Sequence, residues 1–243
     1  MKTWQENTDT TIKPSKPSYN CKYCSKAYTQ EKTLIAHQCE PKRRWMQEKE
    51  IGVQFGLQAY LRFYEITQGS AKYKSYGDFV ESPFYLAFVR FGRHLANLKA
   101  VNTGEFIDFL IKNGKKIDTW THEVVYTEYL SRYIKKEPVQ TALERSLTKM
   151  QDYADNSVDL NGEFNDYFRY GNANRICNHI LNGRISPWVI FNCDSGIEFL
   201  ESLGEEQILM IVDFINPEFW QKKFNNYVAD VEWIKSILKD AGL

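Results

Sequence analysis

From residue 42 to the C-terminus, apolar positions recur every three or four residues, and Gly, Pro and Asn interrupt them at short intervals. That period predicts consecutive amphipathic helices and almost no strand. Val53, Leu57, Tyr60, Leu61 and Tyr64 keep helical spacing, with Gly69 near their end. Ser82-Pro83 reads as an N-cap followed by a proline at the first helical position. Phe84, Phe88, Phe91, Leu95 and Leu98 then repeat four, three, four, three, the strongest amphipathic stripe in the chain.

Similar segments follow at about 103–112, closed by Asn113-Gly114, at 119–135, opened by Asp118, and at 138–154, opened by Pro138. Ala142, Leu143, Leu147 and Met150 share one face of the last. The polar stretch Asp155 to Gly162 then breaks the pattern and predicts a boundary between two helical lobes, 42–155 and 163–243. Shorter helices are expected at about 163–170, 172–182, 187–192, 196–203, 205–215, 217–225 and 230–241, although Val189-Ile190-Phe191 also suits an extended segment. No internal repeat is visible. Residues 1–17 have no periodicity and two prolines, which predicts a disordered tail.

Residues 18–41 break the helical period and carry the chemistry. Cys21, Cys24, His37 and Cys39 form C-x2-C-x12-H-x-C, three thiols and one imidazole at zinc-finger spacing. Two cysteines three apart sit on a tight turn at the end of a short hairpin, and twelve residues allow a reversal and a helix to return an imidazole to the same ion. Tyr19, Tyr28 and Leu34 stand where a ββα finger keeps its small core, which so short a segment needs beside its metal. The last ligand departs from the two-cysteine, two-histidine pattern, since Cys39 follows His37 by only two. Positions i and i+2 diverge on a regular helix, so the helix must end or tighten at His37. Pro41 favours that break by disfavouring helix at Glu40. The expected cofactor is Zn2+.

The fold class expected is therefore mostly α, a small ββα-type zinc finger followed by an all-α body. At 243 residues and 43% hydrophobic content the chain can build a sizeable core beyond the finger. No apolar run approaches membrane-spanning length, no hydrophobic signal region is visible, and five cysteines, three of them in the finger, suit a reducing interior. A soluble, cytoplasmic protein is expected.

Net charge is zero, but residues 1–50 hold ten Lys/Arg against six Asp/Glu, and the remainder 21 against 25. The single basic triplet is Lys42-Arg43-Arg44. Nucleic-acid binders draw most affinity from broad basic surfaces, so this balance argues weakly for DNA. If the finger did read bases, Gln30, Thr33 and Ala36 would be the reading positions, with Lys26, Lys32, Lys42, Arg43 and Arg44 at the phosphates.

His122-Glu123-Val124-Val125-Tyr126 approaches the zinc-protease helix motif but has tyrosine in place of the second histidine, so coincidence is the better reading. Cys177 and His179, with Cys193 not far along, suggest a second metal site, but i and i+2 diverge on a helix, so a packed core thiol is the better reading; His94 reads as a boundary side chain. No phosphate loop, nucleophile elbow or carboxylate dyad of recognisable spacing appears, and a non-enzymatic protein is expected. Aromatic residues make up 15% of the chain. The clusters Phe164-Tyr167-Phe168-Tyr170 and Phe214-Phe219-Trp220-Phe224 suit either a large aromatic core or docking surfaces.

The finger with Cys39-Glu40-Pro41-Lys42-Arg43-Arg44, the segments Ser82-Pro83-Phe84-Tyr85 and Thr141-Ala142-Leu143-Glu144-Arg145-Ser146, and Gly183-Arg184-Ile185-Ser186-Pro187-Trp188 together resemble proteins of T-even-like contractile-tailed bacteriophages and their marine relatives. The resemblance runs from Tyr19 to Leu243. It implies virion assembly at the baseplate hub through protein–protein interaction, in the cytoplasm of an infected host cell or within the virion. It equally accommodates a possible DNA-binding accessory of transcription or replication.

Overall fold

The computed structural model describes residues 18–69 and 73–243, without the side chain of Asp159; the tail expected at 1–17 lies outside them. The chain divides into two compact units, Met1–Arg93 and His94–Leu243.

The first unit opens with a two-stranded antiparallel hairpin, β1 (Tyr19–Asn20) and β2 (Ala27–Tyr28), in which Tyr19 faces Tyr28 and Asn20 faces Ala27. The short helix α1 (Glu31–Ala36) completes a ββα finger, and α2 (Glu40–Met46) follows directly. Thereafter come α3 (Ile51–Gln68), α4 (Tyr76–Glu81) and the beginning of α5 (Tyr85–Leu98), within which the two units divide. Ser75 starts α4 with a capping box: its hydroxyl accepts from the Asp78 amide while the Asp78 carboxylate accepts from the Ser75 amide.

Two elements differ from their sequence patterns. The buried face of α3 is Gly52, Val53, Gly56, Ala59 and Tyr60, while Leu61 is exposed. Two glycines one turn apart let α3 approach α5 at Gly92, where side chains would keep the backbones apart. Helix α5 begins at Tyr85, because the Ser82 hydroxyl accepts from the Phe84 amide in a turn that delays the helix past Pro83. Phe84 is consequently exposed, and Tyr85, Phe88, Val89, Phe91 and Leu95 form the buried stripe.

The second unit contains α6 (Thr103–Lys112), α7 (Glu123–Ile134), α8 (Val139–Asp155), α9 (Tyr167–Tyr170), α10 (Ala173–Leu181), α11 (Pro187–Ile190), α12 (Asp194–Ser202), α13 (Glu205–Ile215), α14 (Pro217–Asn226) and α15 (Val228–Asp240). Asp118 belongs to a separate 3-10 turn, Ile117–Thr119, and α7 starts four residues beyond it. Buried Trp120 holds that turn by donating from Nε1 to the Lys115 carbonyl at 2.8 Å. Val189-Ile190-Phe191 is helical or a helix end, since Ser186 caps α11 and Pro187 starts it.

The polar stretch 155–162 lies inside the second unit rather than between two lobes. It forms a 3-10 turn, Val158–Leu160, that buries Leu160, and another, Phe164–Asp166, packs against α8. A single buried leucine is enough to fasten a polar segment to a core.

Helix α8 packs against α9, α11 and α15. At its start the Glu137 carboxylate is buried, receives two guanidinium bonds from Arg145 at 2.6 and 2.8 Å, and accepts from the Ser186 hydroxyl at 2.9 Å. The Ser186 amide donates to the Ser146 hydroxyl at 2.9 Å. A buried charge requires such a partner set, and this one ties α11 to α8. Nearby, Trp188 meets Trp220 edge-on and Phe224 at a tilt, with Lys223 lying against both tryptophans.

The aromatic clusters are divided between core and surface: Tyr167, Phe168, Phe214 and Trp220 are buried, Phe164 and Phe224 half-buried, and Tyr170 and Phe219 exposed. No helix among the described residues is long and apolar enough to cross a membrane.

Candidate metal centre

The hairpin turn sets the first two thiols. The Cys21 amide donates to the Lys26 carbonyl at 2.9 Å, the Ser25 amide donates to the Cys21 carbonyl at 2.8 Å, and Ser25 takes a left-handed conformation at φ 59°. This tight reversal turns Cys21 and Cys24 to one side. Helix α1 supplies the imidazole by stopping: it ends at Ala36, and His37 is extended at φ −64°, ψ 126°. Cys39 is also extended, at φ −133°, ψ 158°, and starts α2. The required break at His37 is therefore present. Pro41 acts differently from its expected role: it occupies the first turn of α2, where its missing amide is not needed, and Glu40 is helical.

The four ligand atoms lie within 4.8 Å of one another. Cys21 Sγ is 4.0 Å from Cys39 Sγ, and Cys24 Sγ is 3.3 Å from His37 Nε2. A tetrahedral ion with metal–sulfur bonds of about 2.3 Å and metal–nitrogen bonds of about 2.0 Å spaces its ligand atoms by about 3.5–3.8 Å. Donor chemistry and spacing both fit a metal ion. The Tyr23 amide beside Cys21 holds its thiol below the usual range, while burial pushes the Cys39 thiol up. A bound cation would draw both to thiolate.

The small core is where the sequence pattern places it. Tyr19, Tyr28 and Leu34 are half-buried, and the Tyr28 ring lies 5.0 Å from the His37 ring, packed beside that imidazole. Cys21 is the single fully buried residue between Ser18 and Cys39.

Two residues of the basic triplet, Lys42 and Arg44, are committed to the fold. Lys42 donates to the His37 carbonyl at 2.9 Å, bracing the ligand loop from α2. Arg44 donates to the Val80 carbonyl at 2.7 Å, pairs with Glu40 at 3.1 Å and lies over the Tyr85 ring. Arg43 is exposed and pairs with Glu40. Gln30, Thr33, Ala36, Lys26 and Lys32 are all exposed on the finger.

No family model, curated protein or solved structure matches this chain.

Among the described residues, no other group of three or more Cys, His, Asp or Glu side chains could hold a metal ion. His122 is exposed ahead of α7, and buried Tyr126 accepts from the Val101 amide at 2.9 Å. Cys177 is buried, and His179 faces the Tyr167 hydroxyl through Nδ1 at 2.6 Å. Cys193 is a buried thiol that receives the Ser195 hydroxyl. His94 is half-buried, as a boundary residue should be.

One surface escaped the sequence reading. Leu209, Met210 and Val212 on α13 are 65%, 42% and 41% exposed, while Ile211, Phe214 and Ile215 of the same helix are buried. The signal was present as five consecutive apolar residues, Ile208 to Val212, more than one buried face can use.

Proposed function

We propose that this protein is a non-enzymatic bacteriophage assembly factor that works by protein–protein contact at the baseplate hub, with its N-terminal finger stapled by zinc. Three thiols and an imidazole in near-tetrahedral spacing suit zinc, a borderline-soft ion that takes this donor set in structural sites. The observation that carries the contact reading is the exposed apolar row on α13, Leu209, Met210 and Val212. Contiguous exposed apolar side chains on a soluble chain mark partner surfaces. The resemblance to contractile-tailed phage proteins supplies the hub as partner and the infected cell's cytoplasm, or the virion, as location.

Affinity capture from infected cells, probed for hub proteins and for DNA, tests this directly. Hub proteins should co-purify with the wild type and be lost with Leu209→Glu and Met210→Glu combined. Equal capture by that variant, or capture of DNA alone, would refute the reading. Metal analysis should find one zinc per chain, lost in Cys21→Ser.

The exposed Lys26, Lys32, Gln30 and Thr33 favour one second reading, a nucleic-acid-binding accessory of transcription or replication that uses the exposed side of the finger. It requires DNA binding that weakens steeply with salt and is reduced in Lys26→Ala with Lys32→Ala. Absence of binding at low salt removes it.

A further inference from the structure

The solvent-facing side of α8 presents Thr141, Arg145, Thr148 and Lys149, and together with Lys99 and Arg184 these line an open groove of about 370 Å³. These side chains come from well-separated stretches of the second unit. Arg184 is fixed in place, donating through Nη2 to the carbonyls of Leu98, at 2.8 Å, and Lys99. Those acceptors are neutral. Arg145 is held by Glu137, which cancels its charge but leaves its buried Nε without an acceptor.

Among the described ion pairs, none includes Lys99, Lys149 or Arg184. Three cations thus line one groove without an ion pair, although the carboxylates of Glu144 and Asp152 line it as well. Burial pulls the Arg184 guanidinium below its ordinary value, with Tyr126 opposing the shift and Arg145 adding a smaller part to it. Burial, with Lys149, Arg184 and Arg175 adding to it, holds the His179 imidazole down at about 4. Assembling like charges on a scaffold is costly, and an anion in the groove offsets that cost.

We infer that this groove is a binding site for one compact dianion, a phosphate or phosphomonoester, held by Lys149, Arg184 and Lys99 with the hydroxyls of Thr141 and Thr148 as further donors. The shape of the field selects a compact group over a polyanionic strand. Glu144 and Asp152 also line the groove, about 12 Å apart along the helix axis, with Arg145, Thr148 and Lys149 between them. One phosphate fits between these carboxylates. A run of successive phosphates meets one or both of them. Arginine and lysine together with hydroxyl donors are the groups that bind phosphate oxygens through charge-assisted hydrogen bonds.

The test titrates the full-length, metal-loaded protein at constant ionic strength with inorganic phosphate, with phosphoserine and with a short DNA duplex, followed by phosphorus NMR and calorimetry. Saturable one-to-one binding of inorganic phosphate or phosphoserine is expected in the millimolar range or tighter. If phosphoserine binds more tightly, the natural ligand is ester-borne; if inorganic phosphate does, it is the free ion. Lys149→Ala, harmless to a helix, should weaken binding about tenfold, whereas Lys222→Ala, exposed on α14 and outside the groove's lining, should leave it unchanged. No saturable binding, equal affinity in Lys149→Ala, or Lys149-dependent DNA binding tighter than that of either phosphate would overturn the inference.

Discussion

Single residues here take their meaning from who faces them. The grouping of Cys21, Cys24, His37 and Cys39 was legible in the sequence because their spacing is local and covalent, and a turn and a short helix are enough to gather them. Lys42 and Arg44 were not legible in the same way. Both bind backbone carbonyls, those of His37 and Val80, and nothing in a basic triplet says that carbonyls rather than phosphates await it. His179 makes a prediction at this scale. Burial comes first among the causes that lower its imidazole to about 4, against 6.5 for the free side chain, and the neutral ring takes the Tyr167 hydroxyl at 2.6 Å. Below pH 6.5 the unfolded chain gains a proton there that the folded chain refuses. Stability from this group is therefore complete above pH 6.5, falls as pH drops toward 4, and levels off below that. Because the ring is partly solvated, a loss of about 2 kcal/mol is expected across the window. Acid also releases a metal from thiolates, so the readout is a difference: urea unfolding at pH 7.5 and pH 4.5 should separate less in His179→Phe than in the wild type. An unchanged separation would show that His179 does not titrate across folding.

Among the elements, helix spans were legible wherever a breaker marked them: α6, α10, α13 and α14 lie within a residue or so of their expected limits. The misplaced starts of α5 and α7 share a cause, since a side chain in each case stabilises a turn ahead of the helix. Ser82 does so before α5 and Trp120 before α7. The crossing of α3 and α5 could not be read at all. Gly52 and Gly56 look like helix-weakening residues until Gly92 is placed opposite them, and that pairing is tertiary. A Cβ on Gly92 would stand 2.0 Å from the Gly52 carbonyl oxygen and 2.4 Å from the Gly56 nitrogen. Both are backbone atoms that cannot move without moving α3. Gly92→Ala should therefore cost about 3 kcal/mol in urea unfolding. Gly77→Ala is the contrast within the same unit, because the nearest atom to its new Cβ would be the Ser75 hydroxyl at 3.4 Å. There the helix propensity of alanine should leave stability equal or raise it by about 0.5 kcal/mol. Similar losses in both would mean that the close crossing is not what Gly92 provides.

Across the whole molecule, burial is unevenly distributed. From Ser18 to Cys39 only Cys21 is fully buried, so that segment has no hydrophobic core able to offset its conformational entropy. The second unit has its own aromatic interior, with Trp120, Trp188 and Trp220 fully enclosed. An ion bound by three thiolates and an imidazole contributes folding free energy only to the residues it organises. Chelation should accordingly abolish amide-exchange protection in β1, β2 and α1 while protection in α8, α10 and α11 persists, and the near-ultraviolet signal of the enclosed tryptophans should stay unchanged. Cys39→Ser separates the ligand role of this residue from its place at the start of α2. The Cys39 side chain makes no capping bond and serine is a favoured residue at that position, so the loss of protection should appear in the finger and not along α2. If chelation instead melted the helices of His94–Leu243 together with the finger, the metal would be a keystone of the entire chain, and confining the finger's stability to its own ion would be wrong.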